Sequence, residues 1–131
     1  MQWLKITTVI MSALMTGTID AADLVDAIHM VETSGRTGPI KGDNGAALGP
    51  LQIHKACWID ANLPGKYSDC ADLTYAKRVF RAYMARYATE RRLGRPVTDE
   101  DRARIWNGGP NGYKKTATLP YWNKVRKELT R

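Results

Sequence analysis

The chain has 131 residues, room for one domain and too little for two of ordinary size. With 44% hydrophobic residues it can bury a real core, which excludes a disordered chain. The net charge of +7 fits either an anionic partner or a merely solvated cationic surface, and no nucleic-acid motif accompanies it, so nucleic acid is not an expected partner.

At the N-terminus, Lys5 precedes an apolar run from Ile6 to Met15, and small residues follow up to Ala21 and Ala22. The run is too short to span a bilayer, so no stable membrane insertion is expected. It reads as a secretory signal over residues 1–22, with an N-terminal core helix as the alternative reading, leaving a domain at 23–131 and an extracellular or periplasmic location. Removing residues 1–22 takes away Lys5 and Asp20 and leaves the net charge unchanged.

Leu24, Val25, Ile28 and Val31 follow helical spacing, with Asp20 or Asp23 available as a cap and an end at Glu32 or just after. Glycines and prolines then interrupt any helix through Pro50, and Gly42-Asp43-Asn44-Gly45 signals a hairpin turn between two short strands, with residues 50–53 leading out of the second. A short helix is expected over 54–62, then a loop. A long amphipathic helix is expected over 72–92, carrying Leu73, Ala76, Phe80, Tyr83, Met84 and Tyr87 and closed by Gly94 and Pro96. Thr98 with Asp101 resembles a capping box opening a helix that ends near Trp106. Residues 107–112, Asn-Gly-Gly-Pro-Asn-Gly, are expected to be irregular. Thr118 and Pro120 open a last helix with Trp122, Val125 and Leu129. The sum is an α+β fold, mostly helical: four or five helices around a small hairpin.

Two carboxylates stand out by environment. Glu32 ends an apolar helical stripe, where loss of water disfavours the charged form and raises the pKa. Asp43 lies in a polar, glycine-rich turn, where the charge stays hydrated. Such a contrast is what acid-catalysed glycosidic cleavage needs, one group giving a proton and the other facing the positive anomeric carbon. With thirteen acidic residues in the chain the pairing alone is a weak signal. His29 and His54 have no partner at metal-ligand spacing, so no metal or cofactor is expected. Cys57 and Cys70 could close a loop of about 14 residues, worth roughly 3 kcal/mol, or remain two buried thiols; in an exported protein the disulfide is the expectation.

Five stretches carry a family resemblance: "VETSGR" at 31–36, "GPLQIHKACWIDA" at 49–61, "YMARYAT" at 83–89, "ARIWNGGPNG" at 103–112 and "TLPYWNKVRK" at 118–127. In this order they resemble the invertebrate-type lysozymes, the destabilase family. The resemblance implies a lysozyme-like fold with a small β-hairpin flanking a cleft, and hydrolysis of the β-1,4 bond between N-acetylmuramic acid and N-acetylglucosamine in bacterial peptidoglycan. It places the family's acid on Glu32 and its catalytic aspartate on Asp43, with Asp60 as the fallback carboxylate, although the segment at 49–61 that carries it reads as structural. Gln52, Trp106 and Asn107 become candidate substrate-binding residues, Gln52 against the reading of a hairpin brace and Asn107 against that of a tight turn, while Trp58 and Trp122 are expected in the core; the chain is expected to act as a monomer. Ala61 and Tyr113 stand where family cysteines are expected. Ala46, Ala47, His54 and Trp106 replace residues tied to isopeptide cleavage in some relatives, so that activity is not expected. Two other readings remain open at this stage: a lytic transglycosylase, which needs only the glutamate, and a non-catalytic cationic protein that binds cell walls.

Overall fold

The computed structural model describes residues 21–131. Residues 1–20, where most of the expected signal falls, lie outside the described residues. Among the described residues no helix is long and apolar enough to cross a membrane.

Helix α1 spans Ala21–Thr33. Leu24, Val25 and Ile28 are at most 2% exposed, so the stripe read from their spacing is the buried face. Glu32 lies eight residues after Leu24 and four after Ile28, which puts its carboxyl at the end of that same face. The helix stops because Ser34 and Gly35 both take left-handed backbone (φ 55 and 79). Their amides turn back to the carbonyls of Met30 and His29, satisfying the helix end. The buried Thr33 hydroxyl donates to the Pro50 carbonyl at 2.8 Å and pins this end to the next lobe.

That lobe is a three-stranded antiparallel sheet in the order β1 (Lys41–Gly42), β2 (Ala47–Leu48), β3 (Ile53–His54). The expected two-stranded hairpin is therefore extended by a third strand, in which Ile53 pairs with Leu48 and His54 with Ala47. Gly42 is required by a close approach: a Cβ there would collide with the Gln52 carbonyl oxygen of the side chain. Gln52 in turn donates through Nε2 to the carbonyls of Ile40 (3.1 Å) and Gly49 (2.9 Å), bracing the sheet.

Helix α2 covers Lys55–Ala61, and the loop expected after it contains a 3-10 turn at Tyr67–Ala71. The single helix expected over 72–92 is in fact two, α3 (Leu73–Tyr87) and α4 (Glu90–Leu93). Thr89 breaks it: its backbone is extended and its hydroxyl accepts from the Arg92 amide, starting a new helix. Helix α5 covers Asp99–Gly108 behind the Thr98–Asp101 capping box. It continues through Asn107 and Gly108, so only part of the glycine-rich block is irregular, and Gly112 starts a 3-10 turn. Helix α6 covers Leu119–Leu129 with Pro120 in its first turn. One core joins α1, α3, α5 and α6, with Leu24, Ile28, Val79, Ile105 and Val125 fully enclosed.

Cys57 and Cys70 are free thiols, so the expected disulfide is not formed in this structure. Both sit in apolar surroundings, and loss of water pushes Cys57 up to about 12 and Cys70 up to about 11. Thiolate, the form that exchanges and oxidises, is thereby suppressed at both. The core, rather than a covalent bridge, holds α2 to the 3-10 turn.

Candidate active site

A cleft runs between the sheet lobe and the helices. Its central recess, about 420 Å³, is lined by Glu32 and Val31 from α1, Gly42, Asp43, Gln52 and His54 from the sheet lobe, Trp106 and Asn107 from α5, and Tyr121 and Lys124 from α6. A second recess of about 240 Å³ shares Gln52, His54, Trp106 and Asn107 and extends the cleft to Tyr83, Cys57 and Gly109. All five site residues expected from sequence (Glu32, Asp43, Gln52, Trp106, Asn107) line the central recess. They arrive there on three separate pieces of chain.

Glu32 is half-buried at the apolar end of α1. Loss of water is the main cause that raises its pKa from 4.5 to about 6, and the nearby Asp43 charge acts in the same direction. Opposing this, the Tyr121 hydroxyl donates to Oε1 at 2.8 Å, and His54 and Lys124 contribute weaker attraction. The carboxyl thus holds its proton in mildly acidic water and can release it to a base in the recess.

Asp43 is in the opposite situation. It is exposed, at the start of the turn after β1, with left-handed backbone (φ 50) that continues at Asn44 (φ 56). Asp and Asn tolerate this region better than other non-glycine residues, which explains the Asp-Asn-Gly composition of the turn. Its Oδ2 lies 2.9 Å from His54 Nε2 on β3, a contact set by the strand register. Among the described residues Oδ1 takes no part in that contact.

Trp106 is half-buried, with its ring packed edge-on against Phe80 (centroids 5.1 Å) and Tyr83 (5.9 Å). The core therefore fixes the ring from behind while it lines the cleft. Arg104 donates to the Thr118 hydroxyl (2.9 Å), the Lys115 carbonyl (3.0 Å) and Glu100 (2.9 Å), and the Thr118 hydroxyl in turn donates to the Gly112 carbonyl (2.7 Å), which ties down the end of the turn after Asn107. Gly112 packs so closely on Arg104 that a Cβ there would strike its carbonyl. Gln52 lines the recess, but its amide nitrogen is taken up by the sheet backbone.

Asp60 stands apart from the cleft floor: it accepts from the Tyr87 hydroxyl at 3.1 Å and braces α2 on α3. His29 is buried with its ring against the Arg36 carbonyl at 2.7 Å, a packing role. Trp58 donates to the Tyr75 hydroxyl at 2.9 Å and packs on the core. Sequence reasoning misses Tyr121 and the His54–Asp43 pair. A signal for Tyr121 exists: it lies four residues before the buried Val125 on α6, so its hydroxyl has to find a partner inside. For His54 there is none, since the pairing comes from strand register.

Over residues 22–128 the chain matches the family described as Destabilase. It is 38% identical over 114 residues to the lysozyme of Meretrix lusoria, covering 85% of this chain and 92% of that one. A lysozyme of Magallana gigas is 43% identical over 84 residues, 63% of this chain and 60% of that protein. The crystal structure of the Meretrix lusoria lysozyme in complex with Aeromonas hydrophila PliI is similar at a TM-score of 0.70 and 38% identity, over 80% of this chain and 87% of that chain. The Tapes japonica lysozyme is similar at a TM-score of 0.68 and 33% identity, with the same coverage.

Proposed function

The chain belongs to the Destabilase family of invertebrate-type lysozymes, and from that premise we propose that it hydrolyses the β-1,4 bond between N-acetylmuramic acid and N-acetylglucosamine in bacterial peptidoglycan, with Glu32 as general acid and Asp43 as its partner carboxylate. The observation that carries this reading is one recess with two carboxyls in contrasting states. Glu32 is pushed up to about 6 by loss of water, and Asp43 is exposed and paired with His54.

In the reaction, Glu32 gives its proton to the glycosidic oxygen as the bond to the anomeric carbon breaks and the electron pair leaves with that oxygen. Asp43 faces the positive anomeric carbon, as an ion pair or a covalent ester. Water then adds its oxygen to that carbon and returns a proton to Glu32, restoring both groups. Trp106 and Asn107 form one wall along which the sugar lies, and Gln52 braces the sheet lobe that carries Asp43 on the other side. The family match to residues 22–128 supports a mature domain at 23–131, with residues 1–22 as an export signal and the cell wall met outside the cytoplasm.

Incubation with purified peptidoglycan and mass spectrometry of the products tests the reading. New reducing muramic acid ends, lost in a folded Glu32→Gln variant, are expected. Anhydro ends would make the protein a transglycosylase, and no new ends would leave only wall binding.

A further inference from the structure

We infer that Tyr121 is a positioning residue that selects the oxygen through which Glu32 delivers its proton. This rests on the reading of Glu32 as general acid. The Tyr121 hydroxyl is 2.8 Å from Oε1, across 89 residues of sequence and from a different helix. A phenol O–H in this contact donates, and Oε1 accepts. When the carboxyl is protonated, the proton is therefore placed on Oε2. Tyr121 and Glu32 line the same recess, so the oxygen left uncommitted is the one available to the sugar.

The phenol is suited to the task because it stays protonated. Burial and the neighbouring Glu32 raise its pKa well above the usual tyrosine range, so it remains a donor at every pH where Glu32 titrates. As the proton leaves, Oε1 gains negative charge and the contact becomes charge-assisted, roughly twice as strong as a neutral one. Tyr121 thus stabilises the product carboxylate more than the acid, and offsets part of the effect of burial. The other charged or titratable groups bearing on Glu32 are Lys124 on α6 and Asp43 and His54 from the sheet lobe. From α5 the recess receives Trp106 and Asn107, neither of which titrates.

The test compares wild type, Tyr121→Phe and a protein carrying 3-fluorotyrosine at 121, with Glu32→Gln as reference, by pH–rate profiles of cell-wall lysis. Tyr121→Phe is expected to lower kcat about 10- to 100-fold, the worth of one hydrogen bond to a charged group, with little change in KM. Its basic limb should move to higher pH, because the group that favours the carboxylate is gone. Fluorotyrosine keeps the shape but donates more strongly, so its basic limb should move to lower pH. Opposite displacements from two near-isosteric changes would not arise from packing alone. An unchanged basic limb in both, with Glu32→Gln inactive, overturns the role of Tyr121 and leaves the acid assignment standing. An active Glu32→Gln enzyme overturns both. If Tyr121→Phe fails to fold, the fluorotyrosine protein alone decides the outcome.

Discussion

Loss of water around the Glu32 carboxyl opposes its ionisation and, against the pull of the Tyr121 hydroxyl, holds its pKa near 6. A carboxyl raised in the folded state stabilises the fold fully below its unfolded value of 4.5, and that contribution is lost as pH rises through 6. The difference corresponds to about 2 kcal/mol. Glu32→Gln should therefore be more stable than wild type at pH 7 to 8 by up to that amount while being inactive. Urea denaturation at pH 4 and pH 8 checks this: the wild type should weaken across the interval relative to the variant. Asp43 calls for a different substitution. An asparagine side chain in its place would keep the left-handed turn and the contact with His54, so Asp43→Asn should fold normally and lose roughly three orders of magnitude or more in kcat, measured on peptidoglycan with circular dichroism as control. Near wild-type lysis by that variant would remove Asp43 from the mechanism. The local surroundings of the two carboxylates, an apolar stripe for one and a glycine-rich turn for the other, are a weak signal among thirteen acidic residues, and the family resemblance is what singles out Glu32 and Asp43. Their pairings carry no sequence signal, since Tyr121 reaches Glu32 from the last helix and His54 reaches Asp43 across a sheet.

Among the elements, the sheet lobe is the most sensitive part. Each of its strands is two residues long, so side-chain braces rather than ladder length hold Asp43 in place. Gly42→Ala would push Gln52 from its two carbonyl contacts and displace the neighbouring Asp43. It should lower stability by roughly 1–3 kcal/mol, the usual range for an overpacked site. Lysis should fall further than stability alone explains, which thermal melts run beside turbidity assays would separate. Lysis in strict proportion to the folded fraction would show that the brace does not position the carboxylate. Elements with a complete local signal are readable from sequence: the capping box at Thr98 and the proline in the first turn of α6 both stand where expected. The break between α3 and α4 is hidden because no glycine or proline falls within residues 72–92, and only the Thr89 side chain, which competes for a backbone amide, marks the interruption. The third strand is hidden because two residues are too few to show alternation.

At the scale of the whole molecule, the positive charge divides into two uses that composition cannot distinguish. Arg92 donates to the carbonyls of Tyr87 and Pro110 and to Asn111, Arg95 pairs with the buried Asp101, and Arg104 ties down the cleft loop. These arginines brace the fold, and of the three only Arg104 is buried, so Arg92 and Arg95 also add to the surface charge. Arg78, Arg81, Arg91, Lys124 and Lys127 are exposed or nearly so and supply the field felt by an anionic wall. Raising salt from about 10 mM to 150 mM shortens the screening distance from roughly 30 Å to 8 Å. The rate of lysis of intact walls should therefore fall several-fold, while cleavage of a short neutral chito-oligosaccharide, if accepted, should change little. Equal salt sensitivity on both substrates would count against long-range attraction. The link between Tyr121 and Glu32 also has a consequence in time. A ribosome makes α1 first and α6 last, so the Glu32 carboxyl exists before the phenol that donates to it. During synthesis the nascent chain carries that carboxyl without its partner, and the contact forms only when the final helix docks, as though the last piece of the chain were the clasp that closes on the first.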